Sequence, residues 1–163
     1  MAGQPSGDAR MKNITLDEHI LSQMAAFLPE SVRQMVDVLG GEATARLVNR
    51  FGGASFPVSR GLRDAGGQRL GMLLEVLTPD QLQRFMHTFG GDSSFLIPKC
   101  DQAKREWRNR LFIRDLRDAL ATGASRRMAL SWLCPRYDIG STQAWILIRE
   151  YGLSGGGKHA SVH

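Results

Sequence analysis

The segment SRRMALSWLCPRYDIGSTQAWILIREY, residues 125–151, holds two short helical runs separated by a tight turn. The spacing predicts a first helix from Ser125 to Cys134, with Pro135 leading into a turn at Tyr137-Asp138-Ile139-Gly140. Ser141 is placed to cap a second helix that reaches Tyr151 and is closed by Gly152. Leu133 and Cys134 end the first helix, Tyr137 and Ile139 flank the turn, and Ala144, Leu147 and Ile148 form the inward side of the second helix. Asp138 takes the tight position that glycine usually fills, and aspartate tolerates left-handed geometry there. This is the pattern of a helix-turn-helix, whose second helix fits the major groove of DNA. Its outward side would then carry Ser141, Thr142, Gln143, Trp145, Ile146 and Arg149 as readers, with Arg126, Arg127 and Arg136 on phosphates. Gln143 suits adenine, and Trp145 and Ile146 suit thymine methyls. The plainer alternative is a three-helix cap in which Trp145 and Ile146 are core and the arginines are solvated.

Immediately upstream, Asp101 to Leu120 reads as a long helix with Ala103, Trp107, Leu111, Ile113, Leu116 and Leu120 on or near one face. The charge changes here. From Met11 to Pro98 there are eight basic and nine acidic residues, whereas Lys99 to Arg149 holds eleven basic and five acidic ones. A basic segment of this kind is the footprint of a phosphate-binding surface, although solvated helices can be equally basic.

Further upstream, apolar residues recur at spacings of three and four over Ile14–Phe27, Ser31–Leu39, Ala43–Phe51, Leu70–Leu77 and Pro79–Phe89, which predicts amphipathic helices. Thr15, Pro29-Glu30 and Thr78 are the expected start signals, and Gly40-Gly41, Gly52-Gly53 and Gly90-Gly91 the expected stops. Phe51-Gly52-Gly53 recurs as Phe89-Gly90-Gly91, preceded by Leu39, Arg46, Leu47 and Val48 in one place and Leu77, Arg84, Phe85 and Met86 in the other. With one extra residue allowed, Phe56-Pro57-Val58 then aligns with Phe95-Leu96-Ile97. The reading is a tandem repeat over 31–61 and 70–100, each copy running from helix to glycine turn to short strand. Chance recurrence of capping glycines is the alternative.

The 163 residues are 42% hydrophobic and 23% charged, ordinary values for a folded chain. No apolar run approaches the roughly 20 residues that cross a bilayer, and residues 1–10 have no signal-like stretch, so the expected location is the cytoplasm, with no membrane contact. Cys100 and Cys134 lack metal or redox spacing and read as free thiols. His19, His87, His159 and His163 lie in unrelated contexts, and no nucleophile, metal or phosphate-cradling motif accompanies them. The expectation is a non-enzyme without cofactors.

Taken in order, Phe89-Gly90-Gly91, Phe95-Leu96-Ile97-Pro98-Lys99, Phe112-Ile113-Arg114-Asp115-Leu116-Arg117 and Leu133 through Arg149 resemble the Mor/C family of phage middle- and late-operon transcription activators. The resemblance covers roughly a third of the chain well. It implies a helical dimerisation region, a short strand and a C-terminal helix-turn-helix, in a bacterial host cell, binding promoter DNA as a dimer and recruiting RNA polymerase. Ile97, Pro98 and Lys99 would form the strand and turn that link dimerisation to DNA binding. The chain departs from the family at Cys100 and Asp138, where glycine is usual, and at Ile146, where the residue is often basic.

The expected fold is therefore mainly α, with one or two short β-strands. The expected layout is an arm (1–10), a helical dimerisation-like region (11–98), a helix-turn-helix domain (99–152) and a tail (153–163). A chain with two dimerisation-like copies and one head would be a pseudo-dimer, with a homodimer optional. The rival function is a protein-interaction antagonist or co-regulator that binds a Mor-like activator or RNA polymerase, favoured by the apolar run Trp145-Ile146-Leu147-Ile148. RNA binding is weaker, for want of aromatic residues interleaved on strands.

Overall fold

The computed structural model describes residues 14–57, 69–91 and 94–153. The expected arm at 1–10, all but Leu153 of the expected tail, and the end of the first repeat beyond Pro57 lie outside the described residues. The chain is mainly helical, with one two-stranded antiparallel sheet. It divides into two compact units. Among the described residues, one is Thr15–Arg105 and the other is Glu106–Leu153 together with Ile14. The boundary falls inside a continuous helix, whereas the sequence reading set it at 98/99.

In the first unit the helices are α1 (Glu18–Gln23), α2 (Glu30–Leu39), α3 (Gly41–Phe51) and α4 (Pro79–Phe89), with a 3-10 turn at Met72–Glu75. Strands β1 (Ser55–Phe56) and β2 (Phe95–Leu96) pair antiparallel, Ser55 with Leu96 and Phe56 with Phe95. α2 packs on α3 and α4, and α1 packs on α3. Val32, Met35, Leu47, Leu73 and Phe85 are completely buried at the centre.

The start signals divide by chemistry. Thr78 begins α4 with a full capping box, accepting from the Gln81 N–H while the Gln81 side chain accepts from the Thr78 N–H, with Pro79 in the first turn. Thr15 does not start α1. Asp17 caps it instead, its carboxylate accepting from the Ile20 N–H at 2.8 Å, which satisfies an otherwise orphaned donor.

The glycine stops also differ from one another. In Gly52-Gly53 and Gly90-Gly91 the second residue carries the positive φ, +94° at Gly53 and +110° at Gly91. In Gly40-Gly41 it is the first, at +88°, because Gly41 already begins α3. Gly52 meets a tighter constraint: a Cβ there would lie 2.7 Å from the Val48 carbonyl oxygen and 3.2 Å from that of Pro98. The glycine turn and the Ile97–Lys99 segment thus meet backbone to backbone. The Gly53 N–H donates to the Ile97 carbonyl at 2.6 Å, and the Ile97 N–H donates to Ala54 at 2.9 Å. Ile97 is buried, Pro98 half-buried and Lys99 exposed.

The second unit holds most of α5 (Asp101–Ala121), together with α6 (Arg126–Tyr137) and α7 (Ser141–Glu150). Its core joins Phe112, Ile113 and Leu116 of α5 to Ala129, Leu133 and Tyr137 of α6, Ile139 of the turn, and Ala144, Leu147 and Ile148 of α7. The buried line of α5 differs from the sequence reading. Phe112 and Asn109 are buried, while Trp107, Leu111 and Leu120 are only half-buried. A single stripe cannot describe a helix shared by two units, since Ala103 is buried in the first and Phe112 in the second.

Candidate nucleic-acid interface

All three helices of the second unit end alike. Gly123, Asp138 and Gly152 have φ of +103°, +55° and +73°. After each, the next N–H reaches back five residues: Ala124 to the Ala119 carbonyl, Ile139 to that of Cys134, and Leu153 to that of Ile148. These paired cap bonds satisfy carbonyls that a helix end leaves without partners. Asp138 thereby makes the turn between α6 and α7 and delivers Ile139 into the core. Cys100 has φ +62°, and Cys100 and Asp138 are the two non-glycine positions of positive φ among the described residues. Burial pushes the Cys100 thiol up to about 11, with Lys104 pulling the other way.

α6 runs on through Pro135 to Tyr137, past the stop expected at Cys134. The proline ring's fixed φ is compatible with a helix, so Pro135 costs one N–H donor without forcing an exit. At the next start, Gly140 occupies the cap position and Ser141 is already the first helical residue, with no side-chain capping bond. The Ser141 hydroxyl is therefore not consumed by the role the sequence reading gave it.

On α7, Ala144, Leu147 and Ile148 are buried, as the spacing requires. Ser141, Thr142, Gln143 and Arg149 are exposed, Trp145 is 40% exposed and Ile146 is half-buried. Ala129 and Ala144, both completely buried, are the small residues that let α6 and α7 approach closely. The signal for Ala129 was its place one turn before Leu133, on the same side of α6.

The three arginines expected on phosphates have different settings. Arg127 is exposed in the first turn of α6, and among the described residues neither it nor Arg149 has a carboxylate partner. Arg126 is half-buried, its guanidinium carbon 5.8 Å from the centre of the Trp145 ring. Arg136 turns inward instead. Its side chain is 19% exposed, its Nε lies 3.9 Å from Asp115 Oδ2, and its guanidinium sits over the Tyr137 ring.

Asp115 is the hub of that inner cluster. The buried Tyr137 hydroxyl donates to its Oδ2, and Arg114 donates twice to its Oδ1, at 3.0 and 2.8 Å. Burial first, then the bond to Asp115, raises the Tyr137 hydroxyl above its usual range. Sequence reading missed this cluster because Asp115 and Tyr137 lie on different helices, 22 residues apart.

No group of three or more histidine, cysteine, aspartate or glutamate side chains placed to hold a metal occurs among the described residues. Nor is any described helix long and apolar enough to cross a membrane. No family model, curated protein or solved structure matches the chain.

Proposed function

We propose that this chain is a sequence-specific DNA-binding transcription regulator, similar in kind to the Mor/C activators of phages and mobile elements. It acts on double-stranded promoter DNA in the cytoplasm and recruits RNA polymerase. One observation carries the reading: α7 is held by three buried apolar residues and a left-handed turn while Ser141, Thr142, Gln143, Trp145 and Arg149 remain at the surface. Polar side chains at the start of a helix two turns or more in length are what base-edge and phosphate contacts need. Arg127 adds a cation at the neighbouring helix start, and Arg126 braces Trp145. Arg136 supports the head from within, through Asp115 and Tyr137.

Fluorescence-anisotropy titration against random and promoter-derived duplexes at two salt concentrations tests this. Wild type is expected to bind with a steep salt dependence, and Arg127→Ala/Arg149→Ala to weaken binding to every duplex and lower the salt slope by about one per charge removed. Gln143→Ala is expected to reduce discrimination between sequences more than affinity. No binding at low salt would overturn the proposal.

The exposed apolar surface of Trp145 and Met128, at 40% and 51%, favours a second reading: a co-regulator that docks on a related activator or on RNA polymerase. Binding that is insensitive to salt and lost in Trp145→Ala alone would select it.

A further inference from the structure

Within the unit Thr15–Arg105, residues 35–56 correspond to residues 73–95. α3 and α4 are offset by 38 residues at both ends, Gly41 to Pro79 and Phe51 to Phe89. The same offset relates buried residues of the preceding segments, Met35 to Leu73 and Leu39 to Leu77. It also relates two ion pairs, Arg46 with Glu42 and Arg84 with Asp80.

Two arginine–carbonyl contacts between the copies are reciprocal, whereas the Arg50–Glu75 ion pair has no counterpart because the equivalent positions are Thr88 and Asp37. Arg46 Nε donates to the Val76 carbonyl at 3.2 Å, and Arg84 Nη1 donates to the Val38 carbonyl at 3.0 Å. Arg84 is the equivalent of Arg46 and Val76 the equivalent of Val38, so each copy gives the other the same bond. In the sheet, Phe56 faces Phe95, its own counterpart after the one-residue insertion. Contacts in which i meets j and j meets i define a two-fold interface.

We infer that Thr15–Arg105 is a dimer closed within one chain, and that the particle consequently carries a single reading head. The strands and the Val38 and Val76 carbonyls that a second chain would need are already engaged. Resting on the proposed function, this names the DNA as one undivided site about half a turn to one turn long, in place of the inverted repeat that paired heads read.

Three measurements on the full chain test it. Sedimentation over a wide concentration range is expected to give one species at the chain mass of 18.0 kDa; a species of twice that mass overturns the inference. Arg46→Ala and Arg84→Ala are each expected to lower the thermal midpoint by a similar amount, roughly 2–4 °C, because the two side chains are equivalent. A shift in one and none in the other overturns the equivalence. Selection from a random-sequence duplex library is expected to enrich one undivided motif. An inverted repeat overturns the single head while sustaining DNA binding, and failure to enrich any motif overturns the single-site reading along with the proposed function. The mass and the two arginine variants decide the closed dimer by themselves.

Discussion

The two units differ in how several of their arginines are engaged. In Thr15–Arg105, Arg33, Arg46, Arg50 and Arg84 all have carboxylate partners, and Arg46 and Arg84 also bond backbone carbonyls of the other copy. In the unit from Glu106, the exposed Arg114 and the inward-turned Arg136 both meet Asp115 and Arg110 pairs with Glu106, while Arg127 and Arg149 stay at the surface on α6 and α7 without a carboxylate partner among the described residues. On the proposed function, the difference separates assembly from recognition. Paired arginines fix a geometry, and unpaired exposed ones are available to an anionic partner. Exposed pairs contribute little energy each, about 0–1 kcal/mol, so the first unit owes its stability to its buried apolar residues, while the bonds from Arg46 and Arg84 to the Val76 and Val38 carbonyls, with the Arg50–Glu75 pair, join its copies.

Substitutions in one unit that leave the other folded sharpen this comparison. The largest effect is expected from Tyr137→Ala, which removes a completely buried ring and the bond to Asp115 and costs about 3–5 kcal/mol in the head. Urea unfolding followed by residue-resolved NMR should show the Glu106–Leu153 signals lost first. Simultaneous loss of α2–α4 would break the separation of units. Next comes Gly52→Ala, whose new methyl group meets the Val48 and Pro98 carbonyls and costs about 1–3 kcal/mol in the first unit alone. An unchanged urea midpoint for that unit would remove the glycine's assigned role.

Smaller effects are expected where a side chain sits at positive φ. Asp138→Ala should cost the head about 1 kcal/mol, whereas Asp138→Gly should hold or raise its stability, because glycine adopts φ +55° without strain. Equal midpoints for the alanine and glycine variants would contradict the turn's conformational demand.

The smallest effect is on pH dependence. The Cys100 thiol ionises at about 11 in the folded chain against 9.0 for an ordinary thiol, because burial disfavours the thiolate. Between those values the unfolded chain has lost a proton that the folded chain retains. The stability contribution is full below pH 9 and declines as pH rises toward 11. Cys100→Ser should flatten that decline in the first unit, and an unaltered profile would remove the assignment.

Much of this is legible in the sequence alone. The Thr78-Pro79-Asp80-Gln81 start contains its whole capping box in four letters, and Ala144, Leu147 and Ile148 announce the inward side of α7 by spacing alone. The glycine pairs locate the turns, and the Phe-Gly-Gly recurrence marks the ends of α3 and α4, 38 residues apart. What was hidden depended on long-range partners. Nothing local distinguishes Arg136, which turns toward Asp115, from Arg127, which does not. The carbonyls engaged by Arg46 and Arg84 have no side-chain signature at all. Pro135 misled because a proline is a helix stop only where its missing N–H or its ring cannot be accommodated.

The central claim is that the head, and within it α7 and the start of α6, is the surface that meets DNA. Amide chemical-shift mapping of the full chain, titrated with a random-sequence duplex at low salt, tests it directly. The account predicts perturbations concentrated at residues 125–127 and 140–149, diminished when salt is raised, with α2–α4 unmoved. Perturbations centred on α2–α4, or none in the head at saturating duplex, would contradict it.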